Sequence, residues 1–407
     1  MKIGVISQWY APEPAFIPSN LAVSLAARGH EVRVLTGFPH YPAGSVYPGY
    51  RQRWRGREDR DGVALRRVPA FASHDESALR RAATYLSFAA TSALAAPRFL
   101  AGVDVVYVYL TPATAYAAAG LLRLLRRTPT VVHVQDLWPE SVTQASFAPR
   151  GLAGRLVHRG LTAAMRHVYG SAAGIAVIAP SMRDIVVARG ADPHRVRVVL
   201  NWTDEALFHP VATSPEARRA IGHRNRCTIM YAGSMGPFQN VEDSVRAAAA
   251  VSDVDLVLIG SGTQESAAQD LAATLGAGNV RFLGRREPHE MAALYGAADY
   301  QLVTLKDLPI FRGTIPSKLQ AALAAGSPVV VSVPGDCADI VRRDRIGLAC
   351  PPEDWRALAA QFRAAATIPA ADRDAMARRA RDAYQARMSK RAGVDQLEDL
   401  LFEAGNG

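Results

Sequence analysis

Pro316-Ser317-Lys318-Leu319-Gln320 opens an Ala-rich helical run that stops at Gly326, just before Pro328 and Val329 start an apolar stretch. Two similar junctions lie upstream, Tyr231-Ala232-Gly233-Ser234-Met235-Gly236 and Leu258-Ile259-Gly260-Ser261-Gly262. Each glycine turn follows a Val/Ile/Leu run and precedes a helical pattern, which places it at the carboxyl edge of a parallel sheet. Backbone N–H groups and helix N-termini gather there and collect phosphate. The chain has four lysines, Lys2, Lys306, Lys318 and Lys390, and two of them fall close together in this half. These residues read as a site for a nucleoside diphosphate.

Outward from this stretch, strands are expected at Thr228–Tyr231, Val254–Ile259, Val280–Leu283, Tyr300–Val303 and Pro328–Val331, with helical patterns between them. The first half repeats the alternation, with strands at Lys2–Ser7, Glu31–Thr36, Val103–Leu110, Pro129–Gln135 and Gly174–Ile178. The pattern resets at Asn201 to Pro210. The reading is therefore an α/β chain with a first domain over 1–200, a linker over 201–212, a second domain over 213–385, and a last helix in 386–407 packing back on the first. The loop Gly37–Tyr50 carries Pro39, Pro42, Pro48 and several aromatics, so regular structure is not expected there. Ala82–Ala96 is uncharged and flanked by Arg80, Arg81 and Arg98, but is too short to span a bilayer. Residues 152–168 set Val157, Leu161, Met165 and Val168 against Arg155, Arg159 and Arg166. Such a helix either lies on an anionic membrane or packs on the core with a solvated basic face.

A length of 407 residues and 49% hydrophobic content suit two full cores. Three cysteines without ligand spacing, and a first strand beginning directly after Met1, lead to the expectation of a cytoplasmic protein with no cleaved leader. Residues 1–200 hold 24 Lys/Arg against 12 Asp/Glu, whereas 201–407 hold 23 against 25. The excess positive charge thus sits entirely in the first half and implies an anionic partner there. No nucleic-acid module is visible, so a phosphorylated acceptor or an anionic membrane, touched peripherally, fits better. No Asp-x-Asp pair stands at a plausible strand end, and neither a metal nor a cofactor is expected.

Five segments, in order, resemble the retaining glycosyltransferases of family 4, in the branch with N-acetylamino-sugar and deoxy-sugar transferases. They are Arg28-Gly29-His30-Glu31-Val32 with Leu35-Thr36-Gly37-Phe38-Pro39-His40-Tyr41-Pro42; Asp136-Leu137-Trp138-Pro139-Glu140; Asn201-Trp202-Thr203-Asp204; Phe282-Leu283-Gly284; and Pro316 to Gln320. The resemblance implies a GT-B architecture, two Rossmann-like domains facing across a cleft, and a nucleotide-sugar donor in the second domain. It also implies transfer on the donor's own face, with the leaving phosphate accepting the acceptor proton. On it, Lys318 with Lys306 or Arg312 would neutralise the leaving diphosphate, near Gly233, Ser234, Gly236, Gln239, Thr314, Ser317 and Gln320. The strand end Arg281, Phe282 and Gly284 would hold the base. Asp136 and Glu140 are the candidate acceptor-side catalytic carboxylates, and Glu13, Phe38, His40, Tyr41 and Trp138 would line the acceptor site, with the Arg51, Arg53, Arg55 and Arg57 run beyond. The family's paired glutamates fall here on Gly313 and Ala321, and its Arg and Lys in the first glycine turn fall on Ser234 and Gln239. The acceptor reads as a lipid-linked saccharide or a soluble small molecule. The alternatives are a sugar-nucleotide epimerase, a dinucleotide oxidoreductase, disfavoured because Gly260-x-Gly262 lacks its third glycine, and a non-catalytic nucleotide-sugar binding protein.

Overall fold

A computed structural model describes residues 1–54, 56–73, 77–140 and 151–406. The chain divides into two compact units, Met1–Leu200 with Gly393–Gly407, and Asn201–Ala392.

The first unit is built on eight strands: β1 (Lys2–Ile6), β2 (Glu31–Gly37), β3 (Gly56–Arg60), β4 (Val63–Val68), β5 (Val105–Leu110), β6 (Thr130–Val134), β7 (Gly174–Val177) and β8 (Val196–Val198), in the order β3-β4-β2-β1-β5-β6-β7-β8. All neighbours run parallel except the β3–β4 hairpin. Helices cover both faces, so the central strands are near-continuous apolar runs; every residue of β6 is buried. Strand order reverses beside β1, which pairs with β2 on one side and β5 on the other. In an open α/β sheet the crevice outside the carboxyl ends at such a reversal is where ligands bind.

The second unit repeats the plan with β9 (Thr228–Ala232), β10 (Asp255–Ile259), β11 (Val280–Phe282), β12 (Tyr300–Thr304), β13 (Val329–Ser332) and β14 (Gly347–Cys350), ordered β11-β10-β9-β12-β13-β14 and all parallel. Its reversal lies between β9 and β12. The core on one side of the sheet includes Tyr231, Leu256, Leu258, Leu302, Val330 and Phe362, all essentially inaccessible.

The expected strands are present to within two residues at each end. Four strands were not expected: β3 and β4, β8, and β14. Sequence Gly56-Arg57-Glu58-Asp59-Arg60 is polar throughout because β3 is an edge strand, and β4 interrupts its alternation with Arg66 and Arg67. Arg67 lies fully buried: its guanidinium donates to the carbonyls of Gly37 at 3.1 Å and Ala11 at 2.6 Å and to Glu58, and stacks 5.2 Å from the Tyr50 ring. The C-terminal helix Lys390–Asn406 belongs to the first unit from Gly393 on. Leu397, Leu400 and Leu401 are buried, and a Cβ at Gly174 would lie 2.9 Å from Leu400, so glycine permits the close contact. Arg28 pairs with Asp395 and Glu398, and His30 meets Glu398 at 2.7 Å.

Candidate functional site

In the second unit the three glycine turns stack against one another. Gly233 has φ +141° and Gly260 φ +126°; a Cβ on Gly260 would lie 2.0 Å from the Gly233 carbonyl oxygen, and one on Gly262 2.4 Å from that of Met235. Side chains are excluded here by geometry and by backbone conformation alike. The turns are tied by N–H donation from Gly233 to Ile259 O at 2.9 Å, from Met235 to Ser261 O at 2.9 Å and from Gly260 to Gly284 O at 2.8 Å. The Gly236 N–H is taken by the Gln239 side chain at 3.0 Å. The glycines therefore act by letting backbones approach. The N–H groups of Gly233 and Gly236 are already satisfied within the turn.

That close approach makes room for Lys318. A Cβ on Gly233 would fall 3.0 Å from Lys318 Nζ and 2.6 Å from its Cε. The ammonium sits 5.1 Å from the centre of the Tyr231 ring, whose hydroxyl donates to Ser234 O. Lys318 has no carboxylate partner among the described residues, and burial lowers its pKa from the ordinary lysine value. A half-buried lysine in the first turn of the helix Ser317–Ala324, where the dipole disfavours a cation, leaves positive potential without a counter-ion. The turn is fixed to the end of β12, as Thr304 Oγ1 donates to Gln239 O at 2.5 Å and Lys306 N to Phe238 O at 2.9 Å. Ser234 and Ser317 are exposed, and Gln320 is buried. Arg312 is exposed, 3.9 Å from Asp307, and Thr314 donates to Ile310 O at 3.1 Å. Gly284 turns the chain after β11 with φ +63°, and Phe282 packs partly into the core.

Arg281 is a correction. Its guanidinium reaches the amino edge of the sheet, donating to Asp255 at 3.1 Å and to Ile221 O at 3.2 Å, away from the glycine turns. Asp255 heads β10, is fully buried, and is shared with Arg224 and Arg226. Burial alone would raise its pKa, but three arginine partners hold it well below the carboxylate range. Arg281 completes a structural ion cluster, and its side chain is not at the glycine turns.

In the first unit, Asp136 follows β6 at the carboxyl edge. Thr111 Oγ1, just after β5, donates to it at 3.2 Å, and burial raises its pKa. Beside it the loops and the helix Ala78–Phe99 assemble an aromatic group: Trp9 lies 5.3 Å from Tyr41 and 6.4 Å from Tyr85, and Tyr85 lies 6.2 Å from Trp138. Trp9, His40, Tyr41, Thr84 and Tyr85 line a small cavity of about 60 Å³. Trp9 and Tyr85 were not foreseen; the aromatic loop after β1 was the available signal for Trp9, whereas Tyr85 lay inside an uncharged helix that looked purely structural.

Three acceptor-side expectations take a different form. Glu13 is buried and its carboxylate accepts the N–H groups of His40 at 2.9 Å, Tyr41 at 2.9 Å and Tyr10 at 3.2 Å, so it pins the loop on which Tyr41 stands. Phe38 is buried beneath Gly56. Glu140 is engaged by Arg189 through contacts of 2.6 and 3.1 Å, and Arg189 also donates to Trp138 O at 2.8 Å. Such a paired carboxylate holds its segment in place. His133 is a buried neutral imidazole, its pKa lowered to about 3 by burial, bonded to the Tyr107 hydroxyl at 2.7 Å. Arg51, Arg53 and Arg57 are exposed, and Arg55 lies outside the described residues. Among the described residues no group of three or more His, Cys, Asp or Glu is placed to hold a metal ion.

The profile described as "Glycosyl transferase 4-like domain" matches residues 17–202, and that described as "Glycosyl transferases group 1" matches residues 214–383. The chain is a family 4, group 1 glycosyltransferase of GT-B fold. The glycosyltransferase is 28% identical over 390 residues to WcaI of Escherichia coli (strain K12), provisionally named a colanic acid biosynthesis glycosyl transferase, covering 91% of this chain and 93% of that one. It is 28% identical over 181 residues to a D-inositol 3-phosphate glycosyltransferase of Corynebacterium glutamicum (strain R), covering 41% and 42% of the two chains. Its fold matches sucrose-phosphate synthase from Thermosynechococcus elongatus with a TM-score of 0.70 at 19% identity, covering 98% of both chains. It also matches Anabaena Alr3699/HepE, solved with UDP and glucose, with a TM-score of 0.67 at 18% identity over 99% of both. None of these relatives carries a name from the N-acetylamino-sugar or deoxy-sugar branch.

Proposed function

We propose that the protein is a retaining, metal-independent transferase that takes a sugar from a nucleoside-diphosphate donor. The observation that carries this reading is the unpaired, half-buried Lys318 ammonium set against the Gly233 turn. Departure of a nucleoside diphosphate develops negative charge on the phosphate oxygens. A fixed cation in a partly desolvated setting, with the N-terminal N–H groups of the Ser317–Ala324 helix beside it, favours that charge over its solvated form. The family's second cationic position, at Gln239, is neutral here, which leaves Lys318 as the main compensating charge, with Lys306 and Arg312 as further candidates in the same unit. The donor belongs to the second unit. Support for a diphosphate ligand comes also from the UDP bound in the structural relative, whose likeness to this chain is one of fold.

In the first unit Asp136 orients the hydroxyl to be glycosylated, and Tyr41 and Tyr85 offer ring faces to a sugar beside the buried Trp138. Burial raises the pKa of Asp136, and Thr111 Oγ1 donates to its carboxylate at 3.2 Å. The acceptor is a saccharide carried on a lipid, or a small hydroxylated molecule. The test is turnover by Lys318→Ala and Asp136→Asn with the cognate donor. Loss of one such charge-stabilising group lowers kcat by about 100- to 1,000-fold, so Lys318→Ala should lose that much with its melting temperature kept. Full turnover by a folded Lys318→Ala protein would refute the assignment. Donor isomerisation in the absence of acceptor would instead favour the epimerase reading.

A further inference from the structure

The helix Ala78–Phe99 packs one face on the first unit through Thr84, Phe88, Ser92, Ala96 and Phe99. The opposite face is also apolar, and it is open to solvent. Leu79, Leu86 and Leu94 are 82%, 62% and 72% exposed, and Ala82 and Ala90 lie exposed between them. At 100° per residue these five positions fall in one stripe, running nearly four turns without a polar side chain. Arg126 donates to Pro97 O at 3.2 Å, and so brings in the end of the helix Tyr116–Arg126, where Leu124 and Leu125 are 78% and 59% exposed. A solvent-facing stripe of this kind on a surface helix implies something that covers it.

The charges around it say what. Arg98 stands one turn beyond Leu94 on the stripe's flank and lines a groove with Arg33, Arg57 and Phe99. Arg57 and Arg66 face each other directly across the β3–β4 ladder, an arrangement of like charges that costs stability. Arg66 sits 5.9 Å from the Phe99 ring, and burial together with Arg57 and Arg98 lowers its pKa. None of Arg57, Arg66 and Arg98 has a carboxylate partner among the described residues. The nearby acids are largely engaged, Glu58 by Arg67 and Glu31 by Arg33, leaving Asp59 in the groove. Arg126, through Pro97, adds to the positive charge at this same end, and Arg123 and Arg127 lie exposed beside it in sequence. A second copy of this chain would bring the same arginines against these and be repelled. An anionic bilayer supplies hydrocarbon for the leucines and phosphate for the guanidinium groups at the same depth.

We infer that this face, the outer stripe of Ala78–Phe99 with Arg57, Arg66 and Arg98 at its edge, docks on an anionic lipid surface. No helix among the described residues is long and apolar enough to cross a membrane, so the contact is peripheral. In the helix Gly151–Ser171, Met165 and Val168 are buried in the unit, whereas Leu156 and Val157 are exposed. The inference does not rest on the donor assignment.

Co-sedimentation of the full chain with phosphatidylcholine vesicles, with and without phosphatidylglycerol, tests it. The protein should bind only the phosphatidylglycerol vesicles and be released by salt. Leu86→Glu with Leu94→Glu should weaken binding roughly tenfold or more, since both leucines are solvent-exposed and their loss leaves the fold intact. Arg66→Gln with Arg98→Gln should remove the preference for anionic lipid and leave turnover on a soluble acceptor unchanged. Equal binding to both vesicle types, or unaltered binding by the leucine variant, would overturn the inference. So would a dimer in size-exclusion chromatography that the leucine variant converts to monomer, which would make the stripe a self-interface.

Discussion

Lys318 is a cation held where water cannot fully solvate it, and that arrangement has a measurable consequence. Its pKa in the free protein lies below the ordinary lysine value because burial disfavours the ammonium. A bound diphosphate would favour the ammonium and raise the pKa again. Below the lowered pKa the charge is already in place. Between that value and the ordinary lysine value of about 10.4, binding must take up a proton, so nucleoside diphosphate affinity should fall by up to about tenfold per pH unit. Titration calorimetry across that range should show the slope in the parent and its absence in Lys318→Met; a flat parent profile would mean the ammonium does not meet the ligand. Lys318 itself was legible in the sequence, because a lysine at a helix start in a chain of arginines is out of place. Glu140 and Arg281 were not, since their partners Arg189 and Asp255 are distant in sequence and nothing local announces the pairing.

At the scale of elements, the sheets were readable because parallel strands buried on both faces are near-continuous apolar runs, as in β6 and β10. The β3–β4 hairpin was hidden by its chemistry: an edge strand has one solvated side, and Arg67 breaks the alternation of β4 while being fully buried. The same kind of long-range pairing secures β10. Asp255, at 0% exposure, is gripped by Arg224, Arg226 and Arg281, so Asp255→Ala leaves three guanidinium groups around an empty acceptor. Breaking a buried pair from one side costs about 3–5 kcal/mol; with Arg224 and Arg226 partly exposed, the loss should fall at the low end, about 3 kcal/mol. Because its folded-state pKa is depressed, this stabilisation is full above the unfolded carboxylate pKa and is lost progressively as pH falls from there through the depressed folded-state pKa. Urea melts at neutral and acid pH should show the parent and Asp255→Ala converging in acid. A constant gap would show that the cluster's contribution is packing alone.

Across the whole molecule, the division into two α/β units and the direction of each sheet followed from the reset near Asn201 and the repeated strand–helix alternation. That the first unit is completed by residues from 393 onward depends on Leu400 meeting Gly174 and Glu398 meeting Arg28 and His30. The sequence carries the expectation that the last helix packs back on the first domain, but not which residues it meets there. The charge asymmetry between halves was visible from composition. Its spatial focus, on a helix whose apolar stripe faces outward, needed coordinates, because an uncharged alanine-rich segment reads first as core. The account's central claim is that the second unit binds a nucleoside-diphosphate sugar at the Gly233–Lys318 cradle. Thermal shift with UDP-, GDP-, ADP- and dTDP-sugars tests it most directly, in the parent and in Lys318→Met. A ligand at about 100 times its Kd adds roughly 2.7 kcal/mol to the native state, so one donor should raise the melting temperature clearly in the parent and much less in the variant. No shift with any nucleotide, or an equal shift in both proteins, would contradict it.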